Sequence, residues 1–159
     1  MDFSIPQETL EETRRFRTFL EKELSPSLSL WYEQAAVPRF FFSLMAQQGW
    51  FNFSFSGDRL AKHTALREAL LAEELAKISP GVAVAILAHQ DLGLTGLWLF
   101  GSPHLQKTYG PSAALGKTLL CIGNTESGAG SDAANVAMQA NKGDGGWVLN
   151  GSKAYVTNG

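Results

Sequence analysis

Residues 121–142, CIGNTESGAGSDAANVAMQANK, hold the pattern that decides how this part of the chain folds. The turn Gly128–Ala133 fits the loose form G-x-G-x-x-G/A of a dinucleotide-binding loop. That fold also requires a helix after the glycines and a second parallel strand carrying an acid about 20 residues on. Here only a short stretch separates the turn from NKGDGG, and a hairpin pattern follows. The spacing therefore predicts antiparallel β structure rather than a nicotinamide-binding β-α-β unit.

A second glycine motif lies just upstream, in GPSAALGKT at residues 110–118. It resembles the phosphate-binding loop G-x-x-x-x-G-K-[ST], but five residues separate Gly110 from Gly116 where that motif has four. The motif also needs a strand before it and a helix after it, whereas a helix before and an apolar strand after are predicted here. We therefore exclude a nucleoside-triphosphate loop of this type.

The glycine turn can instead bring its backbone close to a ligand of another kind. Gly128 and Gly130 lack side chains, so their amides can approach an anion or a carbonyl without steric hindrance. Thr125 and Ser131 add short hydroxyls that donate or accept hydrogen bonds. A surface turn of small residues without a ligand fits the same spacing, and the residues alone leave both interpretations open.

The composition is that of an ordinary globular chain of 159 residues, 45% hydrophobic and 18% charged. The net charge of −2 gives no electrostatic basis for binding nucleic acid, which would favour a basic surface. Cys121 is the only cysteine, which excludes an internal disulfide and suits a reducing compartment. The N-terminal sequence MDFSIPQETLEETRRF lacks the apolar core of a signal peptide. We expect a cytoplasmic protein without a nucleic-acid partner.

Residues 1–117 show the spacing of a helical bundle. The capping-box pattern Ser4–Gln7 predicts the start of a first helix, which Ser25-Pro26 ends. The aromatic stretch WFNFSFSGD, residues 50–58, fits a short strand but is better interpreted as a loop. Further helices are predicted over Pro38–Gln48 with Gly49 after its end, from Thr64 to about Ile78, and from Ser102-Pro103 to a stop at Gly110-Pro111.

The longest apolar stretch is GVAVAILAHQDLGLTGLWLF, residues 81–100. Its length would allow a membrane span, but His89, Gln90 and Asp91 fall in its middle, where a lone carboxylate is costly in lipid. We expect no membrane association and predict a helix buried on all sides, opened by Pro80 and broken near Gly93 or Gly96.

Residues 118–159 change to a β-rich pattern. TLLCIGN (118–124) is typical of a buried strand, and the segment NVAMQANK alternates before the turn GDGG. Asn150-Gly151 is a strong hairpin signal, and KAYVT (153–157) is rich in strand-forming residues. The predicted fold is therefore mainly α, a helical bundle followed by the first antiparallel strands of an incomplete β domain. The last strand has no partner, so the sequence is interpreted as part of a larger protein.

Two motifs in this β-rich part resemble the acyl-CoA dehydrogenase family. TESGAGSD (125–132) is similar to the family's T-E-P-G-A-G-S-D, and WVLNGSKAYVTNG (147–159) to its G-x-K-x-W-I-T-N-G. The two motifs occur in the family's order with the same kind of spacer. Upstream, the resemblance continues in VPRFFFSLMAQQGW, LLAEELAKIS and LWLFGSPHLQKTYGPSAALGK. The similarity therefore covers nearly the whole chain.

The resemblance implies a flavoprotein oxidoreductase of fatty acid metabolism with an N-terminal helical domain, a central β domain and a C-terminal helical bundle. This chain is similar to the first domain (1–117) and the beginning of the second (118–159). FAD in this family lies between helices and β domain and faces an acyl-CoA thioester. The implied partners are an acyl-CoA substrate, an electron-transfer flavoprotein as acceptor, and further copies of the full-length chain in a homo-oligomer.

The resemblance also implies which residues hold FAD. Thr125 would bond the pyrimidine side of the flavin ring, and Ser131 would contact phosphate and lie near the CoA part of the substrate. Thr157 would bond the N5 region, where hydride arrives, and so tune the cofactor. The implied cofactor-binding residues are Ile122, Asn124, Thr125, Gly130, Ser131, Tyr155, Val156 and Thr157.

The motifs depart from the family pattern at three positions. Ser127 replaces the usual proline, Tyr155 replaces the usual tryptophan, and Asn124 stands where a small apolar residue is common. The first change frees an amide, the second adds a hydroxyl to the aromatic face, and the third makes the flavin edge more polar. Substrate class and redox tuning are therefore left open.

No catalytic residue is assigned in this chain. The family's base, which takes the α-proton while the β-hydride passes to flavin, is a carboxylate in the C-terminal bundle, and the place of Glu126 is structural. Glu73 and Glu74 are interpreted as an internal hydrogen-bonding group and a solvated one, in that order. His63, His89 and His104 lack the spacing of metal ligands, so no metal site is expected.

We therefore expect the N-terminal portion of an acyl-CoA dehydrogenase-like enzyme that is inactive alone. Two alternatives are kept: an acyl-CoA oxidase or nitroalkane-oxidase-like relative on the same scaffold, and a non-catalytic helical interaction module.

Overall fold

The computed structural model describes residues 4–56 and 59–159 and shows a helical body followed by an extended, β-rich region. This confirms the predicted fold class of mainly helical structure with antiparallel strands. The helices are α1 (Gln7–Glu23), α2 (Leu28–Glu33), α3 (Arg39–Gln47), α4 (Ala65–Ile78), α5 (Pro80–Leu87), α6 (Thr95–Phe100) and α7 (Pro103–Ala114). The antiparallel hairpins are β1 (Phe53–Ser56) with β2 (Arg59–Lys62) and β3 (Gln139–Gly143) with β4 (Gly146–Asn150).

The main core lies between α1, α3, α4 and α5. Phe16 and Leu20 on α1 are one turn apart and fully buried, and Leu71 and Leu75 form the corresponding pair on α4. Each such side chain contributes about 1.5–3 kcal/mol by leaving water. The other buried members are Leu24, Trp31, Phe41, Phe42, Met45, Phe51, Val82, Ala83, Ala85 and Ile86.

The first helix begins and ends close to where the sequence predicts. It begins at Gln7, with Pro6 as the N-cap residue. After it ends at Glu23, a short 3₁₀ turn over Ser25–Ser27 carries the chain into α2, which the sequence analysis missed. Proline is tolerated in the first turn of a helix, so Pro26 redirects the chain without preventing a new helix.

The predictions for α3 and α4 are confirmed at their ends. Gly49 follows α3 with φ of 74° and donates its N–H to the carbonyl of Ala46, as a C-terminal cap requires. At the start of α4, the Thr64 hydroxyl accepts the N–H of Arg67 at 3.3 Å.

The loop predicted over residues 50–58 is wrong over Phe53–Ser56. Phe53–Ser56 forms β1, paired antiparallel with β2 in the register Phe53↔Lys62 to Ser56↔Arg59. Phe53 is buried and packs with Leu94 and Ala113. This tertiary packing stabilises a strand that the local sequence alone does not favour over a loop. The predicted loop residues 57 and 58 lie outside the described residues.

The long apolar stretch is helical, as predicted. The prediction that this helix is buried on all sides is wrong. A π segment, Ala88–Leu94, separates α5 from α6, which matches the predicted break near Gly93. Val84, Leu99 and Phe100 are exposed, and half of the apolar window is buried in the protein. Among the described residues Pro80–Phe100 is long and apolar enough to cross a membrane, but a core helix passes the same test.

Four predictions in the second half are wrong. Helix α7 continues through Pro111 to Ala114, because a proline removes only one ladder bond when packing holds the helix around it. The turn of the β3–β4 hairpin lies at Asp144 and Gly145, as GDGG predicted, and not at Asn150-Gly151. Within the described residues, neither 118–124 nor 153–157 forms a strand, and the two segments meet through the side chain of Lys153, which donates to the Asn124 carbonyl.

Candidate functional site

Two extended segments that are far apart in the sequence lie side by side at the end of the helical body. We call residues 121–131 the loop segment and residues 153–158 the terminal segment. Ala154 donates its N–H to the carbonyl of Thr125 at 2.8 Å. A Cβ added to Gly123 would lie 3.3 Å from Lys153 Cβ and 3.6 Å from Val156 Cγ2. The absence of a side chain at Gly123 therefore allows the close approach.

Glu126 and Lys153 reinforce this contact with charge. Lys153 Nζ lies 2.7 Å from Glu126 Oε1 and also donates to the carbonyl of Asn124 at 3.0 Å. The Glu126 carboxylate accepts two backbone N–H groups as well, from Ala137 at 2.7 Å and from Met138 at 3.0 Å. The pair thus joins the loop segment, the terminal segment and the approach to β3.

The hydrogen bonds of Glu126 decide its protonation state. Lys153, and then the Ala137 amide, hold the pKa of this carboxyl at about 2, below its ordinary value. Glu126 is therefore ionised at neutral pH and is a poor proton acceptor there. This agrees with its interpretation as a structural rather than a catalytic residue.

The glycine turn is tight and open to solvent. Glu126 and Ala129 exchange both backbone hydrogen bonds at 3.1 Å, and Ala129 is buried beneath the turn. A Cβ on either Gly128 or Gly130 would meet nothing within 4 Å. Backbone groups of this turn are accordingly accessible to a ligand.

The terminal segment carries two residues in unusual backbone conformations. Tyr155 has φ of 55° and its side chain is 94% exposed, while Asn158 has φ of 65°. Positive φ is uncommon for a bulky residue and marks local strain that surrounding structure must maintain. Asn158 supplies part of that support, because its Nδ2 donates to the carbonyl of Ala85 on α5 at 2.7 Å.

A cavity of about 510 Å³ opens beside the end of the terminal segment. Thr157 and Asn158 line one side, and Trp31, Tyr32 and Val82 from α2 and α5 line the other. The cavity therefore lies between the terminal segment and the helical body.

The structure divides the residues singled out from the sequence into two groups. Asn124 and Thr125 lie in the part of the loop segment that touches the terminal segment, and the Val156 side chain of the terminal segment lies beside Gly123. Gly130 and Ser131 lie in the glycine turn and are exposed, as is Ile122 before it. Sequence reasoning missed Gly123, Lys153 and Asn158, although the opposite charges of Glu126 and Lys153 in the two motifs were a usable signal.

The other polar residues considered from the sequence have internal roles. Buried His89 lies between two backbone groups: Nε2 is 3.1 Å from the Ala113 carbonyl, and Nδ1 accepts the Leu120 N–H at 3.1 Å. Burial lowers the pKa of His89 to about 4. Glu74 is buried with a side chain 4% exposed and Glu73 is 58% exposed, which reverses the interpretation of Glu73 as the internal group and Glu74 as the solvated one. Among the described residues no group of three or more histidine, cysteine or acidic side chains could hold a metal.

The chain joins a helical body to a β-rich region, which is the architecture of the N-terminal and middle domains in a family of flavoprotein oxidoreductases. The chain belongs to the acyl-CoA dehydrogenase family. Residues 6–117 match the model of the N-terminal domain of acyl-CoA dehydrogenases, and residues 121–159 match the model of the middle domain.

Individual relatives agree with this assignment. The chain is 30% identical to benzylmalonyl-CoA dehydrogenase of Aromatoleum aromaticum over 99% of its own length and 42% of the relative's. The structure of an acyl-CoA dehydrogenase from Geobacillus kaustophilus superposes with a TM-score of 0.90 at 28% identity, covering 100% of this chain and 42% of the other. A glutaryl-CoA dehydrogenase from Mycobacterium smegmatis in complex with FADH2 gives 0.88 at 25% identity, with 97% and 40% covered. The chain thus spans less than half of each.

Proposed function

We propose that the loop and terminal segments together form one wall of an FAD site. The observation that carries the proposal is the hydrogen bond from Ala154 to Thr125, which brings the two family motifs into direct contact. In this arrangement the chain supplies flavin-binding groups from both motifs at a single place in the fold.

The exposed groups of the two segments fit a flavin. Tyr155 presents an exposed ring in a strained conformation, and an aromatic ring of the cofactor is a partner that would cover it. The open backbone at Gly128 and Gly130 suits the phosphates, because unhindered amides can point at an anion. Thr125 and Thr157 add hydroxyls that can bond the polar edge of the ring.

Each residue has a proposed role in holding the cofactor. Ile122, Asn124 and Thr125 contact the ring from the loop segment, and Gly130 and Ser131 contact the phosphates. Tyr155, Val156 and Thr157 contact the ring from the terminal segment, with Thr157 at the N5 side. Ser131 also lies near the CoA part of the substrate. FAD, when bound, supplies the acceptor for a hydride.

The reaction we propose is α,β-dehydrogenation of an acyl-CoA thioester by the complete enzyme, in the cytoplasm. The proposed acceptor of the electrons is an electron-transfer flavoprotein, and the proposed assembly is a homo-oligomer. These proposals rest on the family, of whose members this chain spans less than half.

We further propose that this chain does not oxidise acyl-CoA by itself. Glu126, a carboxylate within the loop segment, is held ionised by its donors with a pKa of about 2, so it cannot serve as an efficient base near pH 7. Turnover of butyryl-CoA or octanoyl-CoA with an artificial electron acceptor by the purified chain would contradict this proposal.

Titration of FAD with the purified chain tests the flavin site. We expect quenching of flavin fluorescence that saturates, with Thr157→Val weakening binding about tenfold through the loss of one hydrogen bond. Thr108→Val is the matched control, because Thr108 is an exposed threonine on α7 that bonds only the His104 carbonyl in its own helix. A folded chain that leaves flavin fluorescence unchanged would overturn the proposal.

A further inference from the structure

We infer that Glu126 and Lys153 form a positioning pair, which fixes Thr125 against the terminal segment and so sets the shape of the proposed flavin wall. The inference rests on the proposed function for its purpose, but its geometry stands on the contacts of the chain itself. Neither residue is assigned a direct contact with cofactor or substrate.

The contacts of Lys153 enclose Thr125 on both sides. Its ammonium group donates to the carbonyl of Asn124, one residue before Thr125, and to the carboxylate of Glu126, one residue after. The carbonyl of Thr125 itself accepts the N–H of Ala154, the residue next to Lys153. Three successive residues of the loop segment are therefore tied to two successive residues of the terminal segment.

The three donors around Glu126 require its side chain to be a charged carboxylate. The Glu126 carboxylate accepts from Lys153 and from the Ala137 and Met138 amides, and no donor of its own is needed. A glutamine at this position would turn an NH₂ group towards one of these donors and leave it unpaired. The side chains of Lys153 and Glu126 are only 20% and 9% exposed, so water compensates poorly for a lost bond.

The pair also has a wider consequence for the β region. Glu126 binds the amides of Ala137 and Met138 directly before β3, so the direction in which the β3–β4 hairpin leaves the site depends on the same carboxylate. The low pKa of Glu126 means that this arrangement persists through neutral and mildly acid conditions.

The test compares two substitutions of one residue with one matched control. Lys153→Met keeps the length of the side chain and removes its charge, whereas Lys153→Arg keeps the charge. Lys77→Met is the control, because Lys77 also pairs with two acceptors, Glu73 and Glu74, but on α4. Each variant is examined for thermal unfolding, for hydrogen exchange at the Ala154 and Met138 amides, and for FAD affinity.

We expect Lys153→Met to speed exchange at Ala154 and Met138 and to weaken FAD binding, each by about tenfold, at a thermal midpoint no lower than that of Lys77→Met. Lys153→Arg should retain most of the protection and the affinity. Glu126→Gln provides an independent route and should speed exchange at Met138 even if Lys153→Met folds poorly.

The inference is overturned if Lys153→Met exchanges at Ala154 and Met138 as the parent chain does, or if Lys77→Met loses the same protection. A parent chain that binds no FAD would contradict the proposed function, and the exchange comparison would still decide whether the pair positions Thr125.

Discussion

Arg17 and Glu74 form an ion pair with two bonds that ties α1 to α4. Arg17 Nε lies 2.7 Å from Glu74 Oε2, and Arg17 Nη2 lies 2.7 Å from Oε1. Lys77 adds a third donor to the same carboxylate at 2.9 Å. The Glu74 side chain is 4% exposed, so its ionised form depends on these cations.

This pair predicts acid sensitivity of the helical body. Arg17, followed by Lys77, lowers the pKa of Glu74 to about 2 from an ordinary 4.5. A depressed folded-state pKa contributes stability that is present above pH 4.5 and is lost as the pH falls towards 2. Thermal unfolding of the parent chain and of Glu74→Gln should differ at pH 6 and converge near pH 2. Glu73→Gln, at the exposed neighbour, should leave the parent profile unchanged.

The π segment carries a carboxyl with the opposite behaviour. Burial raises the pKa of Asp91 to about 7, nearby Glu68 adds to the rise, and Asn52 and Lys62 oppose it. Asp91 Oδ1 is buried and has no hydrogen-bond partner among the described residues. Its raised pKa therefore contributes stability that is fully present below the unfolded value of 3.8 and is lost as the pH rises to about 7.

The substitution Asp91→Asn should remove the loss of stability that occurs as the pH rises. We expect the variant to gain about 1–2 kcal/mol over the parent at pH 8, less than the full pKa shift implies because the side chain is partly solvated. At pH 4 the two should be nearly equal. Denaturant unfolding at both pH values measures the difference, with Asp132→Asn on the exposed glycine turn as control. Equal stabilities of Asp91→Asn and parent at pH 8 would contradict the prediction.

How far the sequence predicted the helical body depended on whether the signal was local. The ends of α3 and α4 followed from Gly49 and Thr64, which act within one turn of the chain. Strand β1 and the passage of α7 through Pro111 depend instead on packing between distant elements, such as Phe53 against Ala113. Propensity alone could not predict those.

The candidate site shows the same division. The two motifs identified the loop and terminal segments, but the residues that connect them lie 27 positions apart in the chain, as Glu126 and Lys153 do. The two segments do not form a regular ladder, so such long-range contacts determine which of their backbone groups pair. No periodic pattern in the sequence indicates these contacts. Lys153 was therefore missed although it lies inside a recognised motif.

The β3–β4 hairpin predicts self-association of the chain. Trp147, Val148 and Leu149 are exposed, and they point to both faces because successive strand residues alternate. A short two-stranded hairpin with apolar residues on both faces offers free edges and apolar surface to a second copy. Sedimentation velocity should show concentration-dependent association, and Trp147→Lys should reduce it. Val84→Lys, which changes an exposed apolar residue on α5, should reduce it less.

The absence of a side chain at Gly123 is predicted to be necessary for the close approach of the loop and terminal segments. An alanine Cβ at this position would lie 3.2 Å from Lys153 Cγ and 3.3 Å from its Cβ, closer than ordinary van der Waals contact. Overpacking of this kind costs about 1–3 kcal/mol, and here it would push Lys153 away from Asn124 and Glu126. Gly123→Ala should therefore lower the stability of the chain by about that amount and speed exchange at the Ala154 amide. Gly145→Ala is the matched control, because a Cβ there meets nothing within 4 Å. If both alanine variants unfold at the same denaturant concentration and protect Ala154 equally, the close approach of the segments does not depend on Gly123.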